Sequence, residues 1–319
     1  MAAAPVHAET GRLGRPAIVV HGGAGTFARF PKPAARRSLL GPALRAALDA
    51  GWEVLGSRGG ALQAAVEAVA CMEASGLFNA GRGSVPTTAG TIEADASVMD
   101  GTSGAAGAVC CATWPASPVR AALAVASSPA CLAPSGGGPP WRPLLLAGPG
   151  ADRFAQEAGL AGREGPRRGP EGTGRAGPCP PGANPGSTAG TVGAVALDAS
   201  GNVAAATSTG GRPGQPPGRV GDSALIGAGT WASNQTAAVS ATGTGEAFVM
   251  AGFAHEVDRS MRRGTPLAQA LQDALGEVSR WGGSGGAVAI SASGELAAVF
   301  STPAMARAWR GQGTQAIFA

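Results

Sequence analysis

The chain has 319 residues, 44% of them apolar, with 14% charged residues and a net charge of +4, and its 53 Gly and 25 Pro stop just short of the content that marks wholesale disorder. Tyrosine is absent and aromatic residues reach only 4%, so a core of this size must be built from Ala, Val and Leu. The basic residues, all arginine except Lys32, are too scattered for a nucleic-acid face, and no run of 18 apolar residues offers a membrane span.

Met1–Arg15 contains no apolar run of the length an export signal needs, and Glu9 interrupts what hydrophobicity there is, so a cytoplasmic protein is expected. A strand is predicted at Ala17–Val20, followed by a glycine-rich turn, His21–Gly25. Arg36–Leu55 spaces Leu40, Leu44, Leu48, Trp52 and Leu55 as a helix, with Gly41-Pro42 as its start or a kink. Ala61–Ala74 carries Leu62, Val66 and Val69 on one stripe that ends in Glu73. Strands near Thr91–Met99 and Ala105–Thr113 and a helix near Pro118–Ser127 follow. Cys131–Gly150 and Ala161–Gly190 are half Gly and Pro, which predicts a surface insertion and a disordered linker; Arg163, Arg167, Arg168 and Arg175 are expected to be solvated there. Beyond the linker, Thr191–Leu197 and Val203–Ser208 form a hairpin by composition, with a further strand at Ala237–Ser240. Helices are predicted at Glu246–Arg263 and Pro266–Trp281, the second capped by Thr265, before a last hairpin of Gly286–Ser291 and Leu296–Ser301. This order fits two sheet layers with helices outside rather than alternating βα units.

Several chemistries are excluded. Lys32 lies in Pro31-Lys32-Pro33, not in a phosphate-binding loop, and three His at 7, 21 and 255 make no HExxH pair. Five Cys without CxxC spacing give neither a zinc ribbon nor a complete disulfide set, which suits a reducing compartment. His21–Gly25 with the elbow-like Gly282–Gly286 could suggest a serine esterase, but no His follows Ser284, so the triad cannot be completed. Glu93 and Asp95 share one face of a strand, as a network or as catalytic groups.

The sharpest local signal is Gly190-Thr191-Val192-Gly193, a strand that starts on Thr directly after the long arm. A Thr hydroxyl holds its proton tightly at neutral pH. Cutting the bond before it frees an α-amino group of pKa about 7.7–8.0, a base on the nucleophile's own residue. Gly190, without Cβ, tolerates the bent geometry of such a cut. An ordinary linker-to-strand junction would look the same in isolation.

Around it run FNAGRG (Phe78–Gly83), VMDG (Val98–Gly101), TVGAVALD (Thr191–Asp198), TSTGG (Thr207–Gly211), GRVGDS (Gly218–Ser223), GAG (Gly227–Gly229) and ATGTGE (Ala241–Glu246). In this order the motifs resemble the plant-type L-asparaginases and isoaspartyl peptidases, N-terminal nucleophile hydrolases of threonine type, from His21 to about Thr302. The resemblance implies an α+β fold, a four-layer αββα sandwich, forming one domain over 1–319 that cuts itself into an α subunit, 1–190, and a β subunit, 191–319. It implies Thr191 as nucleophile, Thr209 orienting its hydroxyl, and Thr242 with the Gly243 N–H stabilising the oxyanion. Arg219 would clamp the substrate α-carboxylate and Asp222 its α-ammonium. Gly243 and Gly245 would line the pocket, and Asn79 would support self-cleavage. The Glu73–Arg82 loop corresponds to one that wraps a structural sodium ion with carbonyl oxygens. No cofactor is expected for catalysis, and the expected assembly is a homodimer of αβ units acting on asparagine or β-aspartyl dipeptides. Glycosylasparaginase is the nearest rival, but it works in an export or lysosomal setting. A threonine aspartase would need a protein-recognition insertion, and an inactive scaffold would not be expected to keep Thr191, Thr209, Arg219, Asp222 and Thr242 together.

Overall fold

A computed structural model describes residues 5–27, 33–129, 142–163 and 190–319. In chain order the first part holds β1 (His7–Arg12), β2 (Ala17–Gly25), α1 (Pro33–Gly56), α2 (Ala61–Ser75), β3 (Ala94–Asp100), β4 (Ala106–Ala112), α3 (Pro118–Ala126), β5 (Leu145–Ala147) and α4 (Gly148–Glu157). The second holds β6 (Val192–Leu197), β7 (Val203–Thr209), β8 (Thr230–Ala232), β9 (Ala237–Gly243), α5 (Gly245–Ala251), α6 (Phe253–Arg262), α7 (Leu267–Arg280), β10 (Gly285–Ser291), β11 (Glu295–Phe300), β12 (Ala304–Gly311) and β13 (Thr314–Phe318). Two sheets result, ordered β1-β11-β10-β9-β8 and β13-β12-β2-β6-β7-β3-β4-β5.

The two-residue period of a strand explains the burial. In β2, Ile18 and Val20 join an apolar cluster with α1 and α2, while Ala17 and Val19 join another between the sheets. The same alternation holds in β6, where Val192, Ala194 and Ala196 face the helices and Val195 and Leu197 face the other sheet. On the smaller sheet, Ala287 and Ala289 pack with α5–α7, and Val288 and Ile290 point inward. The molecule is thus a mixed α/β structure with a core rich in Ala and Val, as the composition requires. Between the sheets runs a seam of hydroxyls. His21 Nε2 lies 2.9 Å from Ser240 Oγ, which is 2.7 Å from Thr207 Oγ1. Thr230 donates to Thr207 at 2.6 Å, and Ser97 Oγ lies 2.8 Å from Thr230 Oγ1 and 2.6 Å from the Ser223 carbonyl.

Several expectations change. His21–Gly25 is not a turn but the continuation of β2, because β12 pairs along it as far as Gly25. Gly41-Pro42 does not begin α1, which starts at Pro33 and runs through Pro42. Burying Leu40, Leu44, Leu48 and Leu55 contributes about 1.5–3 kcal/mol each, and together this exceeds the ~3 kcal/mol a helical Pro costs. Glu246–Arg263 is two helices, broken where Gly252 takes φ 54° in the left-handed region. Pro266, extended at ψ 147°, caps α7 in place of Thr265, so the helix starts one residue later. The surface insertion read over Cys131–Gly150 ends in ordered structure: β5 pairs in parallel with β4, and α4 begins at Gly148. Its residues 131–141 lie outside the described residues, as does the linker over 164–189.

Candidate active site

Pairing of Val192 with Ser208 in the β6–β7 hairpin sets Thr191 opposite Thr209, and their hydroxyl oxygens are 3.0 Å apart. Both strands run past the ends composition suggested, β7 to Thr209 and β9 to Gly243, so both threonines expected near the nucleophile stand on sheet backbone. The peptide before Thr191 is gripped: the Gly190 carbonyl accepts the Asn79 N–H at 3.3 Å. Asn79 is itself fixed, its Nδ2 donating to the Gly211 carbonyl at 2.6 Å and its Oδ1 accepting the Val85 N–H at 3.0 Å. A Cβ at position 190 would stand 3.5 Å from Thr242 Oγ1, so Thr242 lies beside the Gly190–Thr191 junction.

Arg219 and Asp222 occupy the loop before β8. Any side chain at Gly245 would meet Arg219 Nη2 and Asp222 Oδ1, both 2.9 Å from a Cβ there, so this close approach requires Gly. Gly243 ends β9 two residues earlier. Asp222 is buried, its Oδ2 has no hydrogen-bond partner among the described residues, and burial pushes its carboxyl up to about 7, against the pull of Arg219. A buried carboxylate with a free oxygen beside a guanidinium is suited to an ammonium ligand.

Sequence reasoning left the role of Asp95 open and gave none to Glu246. Asp95, raised as a network or catalytic group, is a network residue: Oδ1 accepts the Cys111 N–H at 2.9 Å and Oδ2 the Gly221 N–H at 3.1 Å, which ties β3 to the residue between Arg219 and Asp222. Burial pushes its carboxyl up to about 6. Two residues, Cys110 and Cys111, oppose Asp95 in a bulge, which no residue pattern announced. Glu246, quoted only as a motif letter, bonds Arg219 Nε at 2.9 Å. Partial burial pushes the Glu246 carboxyl up, but a bond from its own backbone and the neighbouring Arg219 and Arg212 hold it below the usual range. His21, paired with Gly193 one strand over, is pushed down to about 3 by burial and is a neutral imidazole beside the Thr191 backbone.

The Glu73–Arg82 segment starts in the last turn of α2 and continues as the loop after it. Glu73 is buried, and its carboxylate accepts Ser117 Oγ, the Val119 N–H at 3.0 Å and Ser208 Oγ at 2.6 Å, fixing the strand next to Thr209. Burial pushes this carboxyl up against those bonds and the charge of Arg163. Arg163 therefore is not solvated as expected: its Nη1 donates to the Gly81 carbonyl at 2.6 Å, and its N–H bonds the Trp114 carbonyl. Arg163→Ala is expected to lower stability by about 2–3 kcal/mol, the loss of a charged hydrogen bond beside a buried carboxylate. Thermal denaturation of the variant checks this; a melting temperature within about 1 °C of wild type contradicts it.

A fold of two facing sheets with a threonine at the start of a strand, a gripped peptide before it and a charged clamp opposite defines a class of threonine hydrolases, and the chain belongs to it: the Asparaginase family model matches residues 14–165 and 172–318. The chain is 38% identical over 318 residues to the isoaspartyl peptidase of Escherichia coli K12, covering 93% of each protein. It is 38% identical over 302 residues to the plant-type L-asparaginase of Pyrobaculum calidifontis, covering 92% of this chain and 96% of that one. Against the human isoaspartyl peptidase/L-asparaginase the identity is 36% over 309 residues, 91% of each. Among the described residues no helix is long and apolar enough to cross a membrane.

Proposed function

We propose that this chain is a self-processing amidohydrolase that cleaves the side-chain amide of L-asparagine and the isopeptide bond of β-aspartyl dipeptides. The observation that carries the reading is Thr191 Oγ1 at 3.0 Å from Thr209 Oγ1, directly after a carbonyl held by Asn79, with Arg219 and Asp222 in one pocket against Gly245. The names of the relatives support the substrate class. In this reading the three apolar clusters are the interfaces of a four-layer αββα sandwich, a single domain cut into 1–190 and 191–319.

Processing starts when Thr191 Oγ attacks the Gly190 carbonyl carbon, whose oxygen leans on the Asn79 N–H. The acyl group moves from N to O, water hydrolyses the ester, and Thr191 gains a free amino group. In turnover that amine takes the hydroxyl proton as Thr191 Oγ attacks the substrate β-carbonyl, Thr209 orients the hydroxyl, and Thr242 with the Gly243 N–H receives the negative oxygen. The amine or ammonia leaves, and water releases aspartate from the acyl-enzyme. No cofactor takes part.

The Glu73–Arg82 loop suits a structural sodium ion. The carbonyls of Phe78 and Ala80 each accept a hydrogen bond, from the Ala80 N–H and the Gly83 N–H, and each keeps a second lone pair for a hard cation. The Gly81 carbonyl, shared by the Ser84 N–H and Arg163, is spent. The ion's part would be to hold the loop that carries Asn79.

Ammonia released from L-asparagine and leucine from β-Asp-Leu, each followed across pH, test this reading. Asp222 must be anionic to receive the ammonium, so kcat/KM is expected to rise as pH climbs through about 7. Bound ammonium holds Asp222 ionised, so kcat should lack that limb and follow only the Thr191 amine, at about 7.7–8.0. An enzyme inert on both substrates defeats the proposal, and identical limbs in kcat and kcat/KM defeat the role of Asp222.

A further inference from the structure

Arg212 stands where the proposed chemistry leaves a cation unused. It follows the Gly211 amide that donates to Thr209 Oγ1 at 3.1 Å, so its stem rises from the nucleophile's side of the cleft. The loop is held: the Arg212 N–H donates to Gln215 Oε1 at 2.8 Å, and the Thr88 N–H bonds the Gln215 carbonyl at 2.8 Å. The guanidinium reaches across to Glu246, Nη1 lying 3.4 Å from Oε2, while Arg219 takes Oε1 at 2.9 Å. One carboxylate thus bridges two arginines. Arg219 is the inner one, 12% exposed, and Arg212 the outer, 56% exposed.

We propose that Arg212 is a specificity residue that binds the carboxylate of the leaving residue in a β-aspartyl dipeptide. The inference rests on the β-aspartyl reading of the site. Such a dipeptide carries two carboxylates, one on the aspartyl α-carbon and one on the departing residue, roughly 6–7 Å apart through the isopeptide link. Two guanidiniums on opposite oxygens of a single carboxylate are separated by a similar span. With the aspartyl carboxylate on Arg219 and the β-carbonyl at Thr191, the second carboxylate meets Arg212, displacing Glu246. Asparagine releases ammonia, which offers Arg212 nothing. The outer arginine therefore favours dipeptides with a free C-terminus over those without one.

The test compares kcat/KM for β-Asp-Leu and β-Asp-Leu-amide, which differ only in the charge at the leaving end. Wild type is expected to prefer the free acid by up to about fivefold at low salt, the range for an exposed ion pair, with the preference narrowing as salt screens it. In Arg212→Met the ratio should fall to about one, and Arg212→Lys should recover part of it. Each ratio is taken within one preparation, so it does not depend on how much of a variant folds. Equal efficiency on the two peptides by wild type, or an unchanged ratio in Arg212→Met, overturns the role of Arg212 and leaves the hydrolase reading standing. Hydrolysis of neither peptide by wild type overturns both.

Discussion

Thr191→Ala is expected to remain one uncut chain of 30.9 kDa without hydrolase activity. The substitution removes the oxygen that attacks the Gly190 carbonyl and, with it, the nucleophile that attacks substrate. Thr209 cannot stand in, because it lies at the far end of β7 with its own amide bonded within the chain and no free amine to take its proton. Loss of a covalent nucleophile costs on the order of 10⁴ or more in turnover, which places the variant at background. Denaturing electrophoresis with intact-mass measurement reads the outcome. Wild type yields two fragments that meet between Gly190 and Thr191, whereas a variant still cut at that bond would show that something other than Thr191 opens it.

Arg219→Ala is expected to cut itself normally and yet lose at least about a hundredfold in kcat/KM on β-Asp-Leu. The uncut precursor presents a peptide bond, not a free carboxylate, so processing does not need the guanidinium. Substrate does. Removing one partner of a buried ion pair costs about 3–5 kcal/mol, and the low end applies here because the outer flank of Arg219 meets the exposed Glu246. For the same reason wild type should reject α-Asp-Leu, whose aspartyl α-carboxyl is locked in the peptide bond and cannot face Arg219 as an anion. Comparable rates on α- and β-Asp-Leu would remove Arg219 from this role.

Thr191 and the pair Arg219 and Asp222 were legible through motifs, GTVGAVALD and GRVGDS, that resemble a known family; read from its residues alone, Gly190-Thr191 looks like any junction of linker and strand. Their neighbours were not. Asp95 could be read as network or catalytic, and only the pairing of β3 with β7 and the bulge at Cys110-Cys111, which turns an amide toward it, decides between them. Arg163 sits in a stretch whose composition reads as solvent, and only the return of the chain after α4 along Trp114–Ala116 buries it. Strand ends failed for a related reason. Whether His21–Gly25 is turn or strand depends on β12, nearly three hundred residues away in the chain, and glycine composition carries no trace of that partner.

The hydroxyl seam makes a buried link. It begins at His21, beside the Thr191 backbone, and ends at the Ser223 carbonyl, one residue from Asp222. Every step is a buried hydrogen bond, so the seam joins the strand that begins at Thr191 to the residue after Asp222 through the interior and not through the loops. Loops around the cleft can change in sequence and length while that link stays set by five side chains, His21, Ser240, Thr207, Thr230 and Ser97. Under the proposed function, a substrate one methylene longer, such as glutamine, is expected to be a poor one, because its amide overshoots Thr191 when its charged groups sit at Arg219 and Asp222.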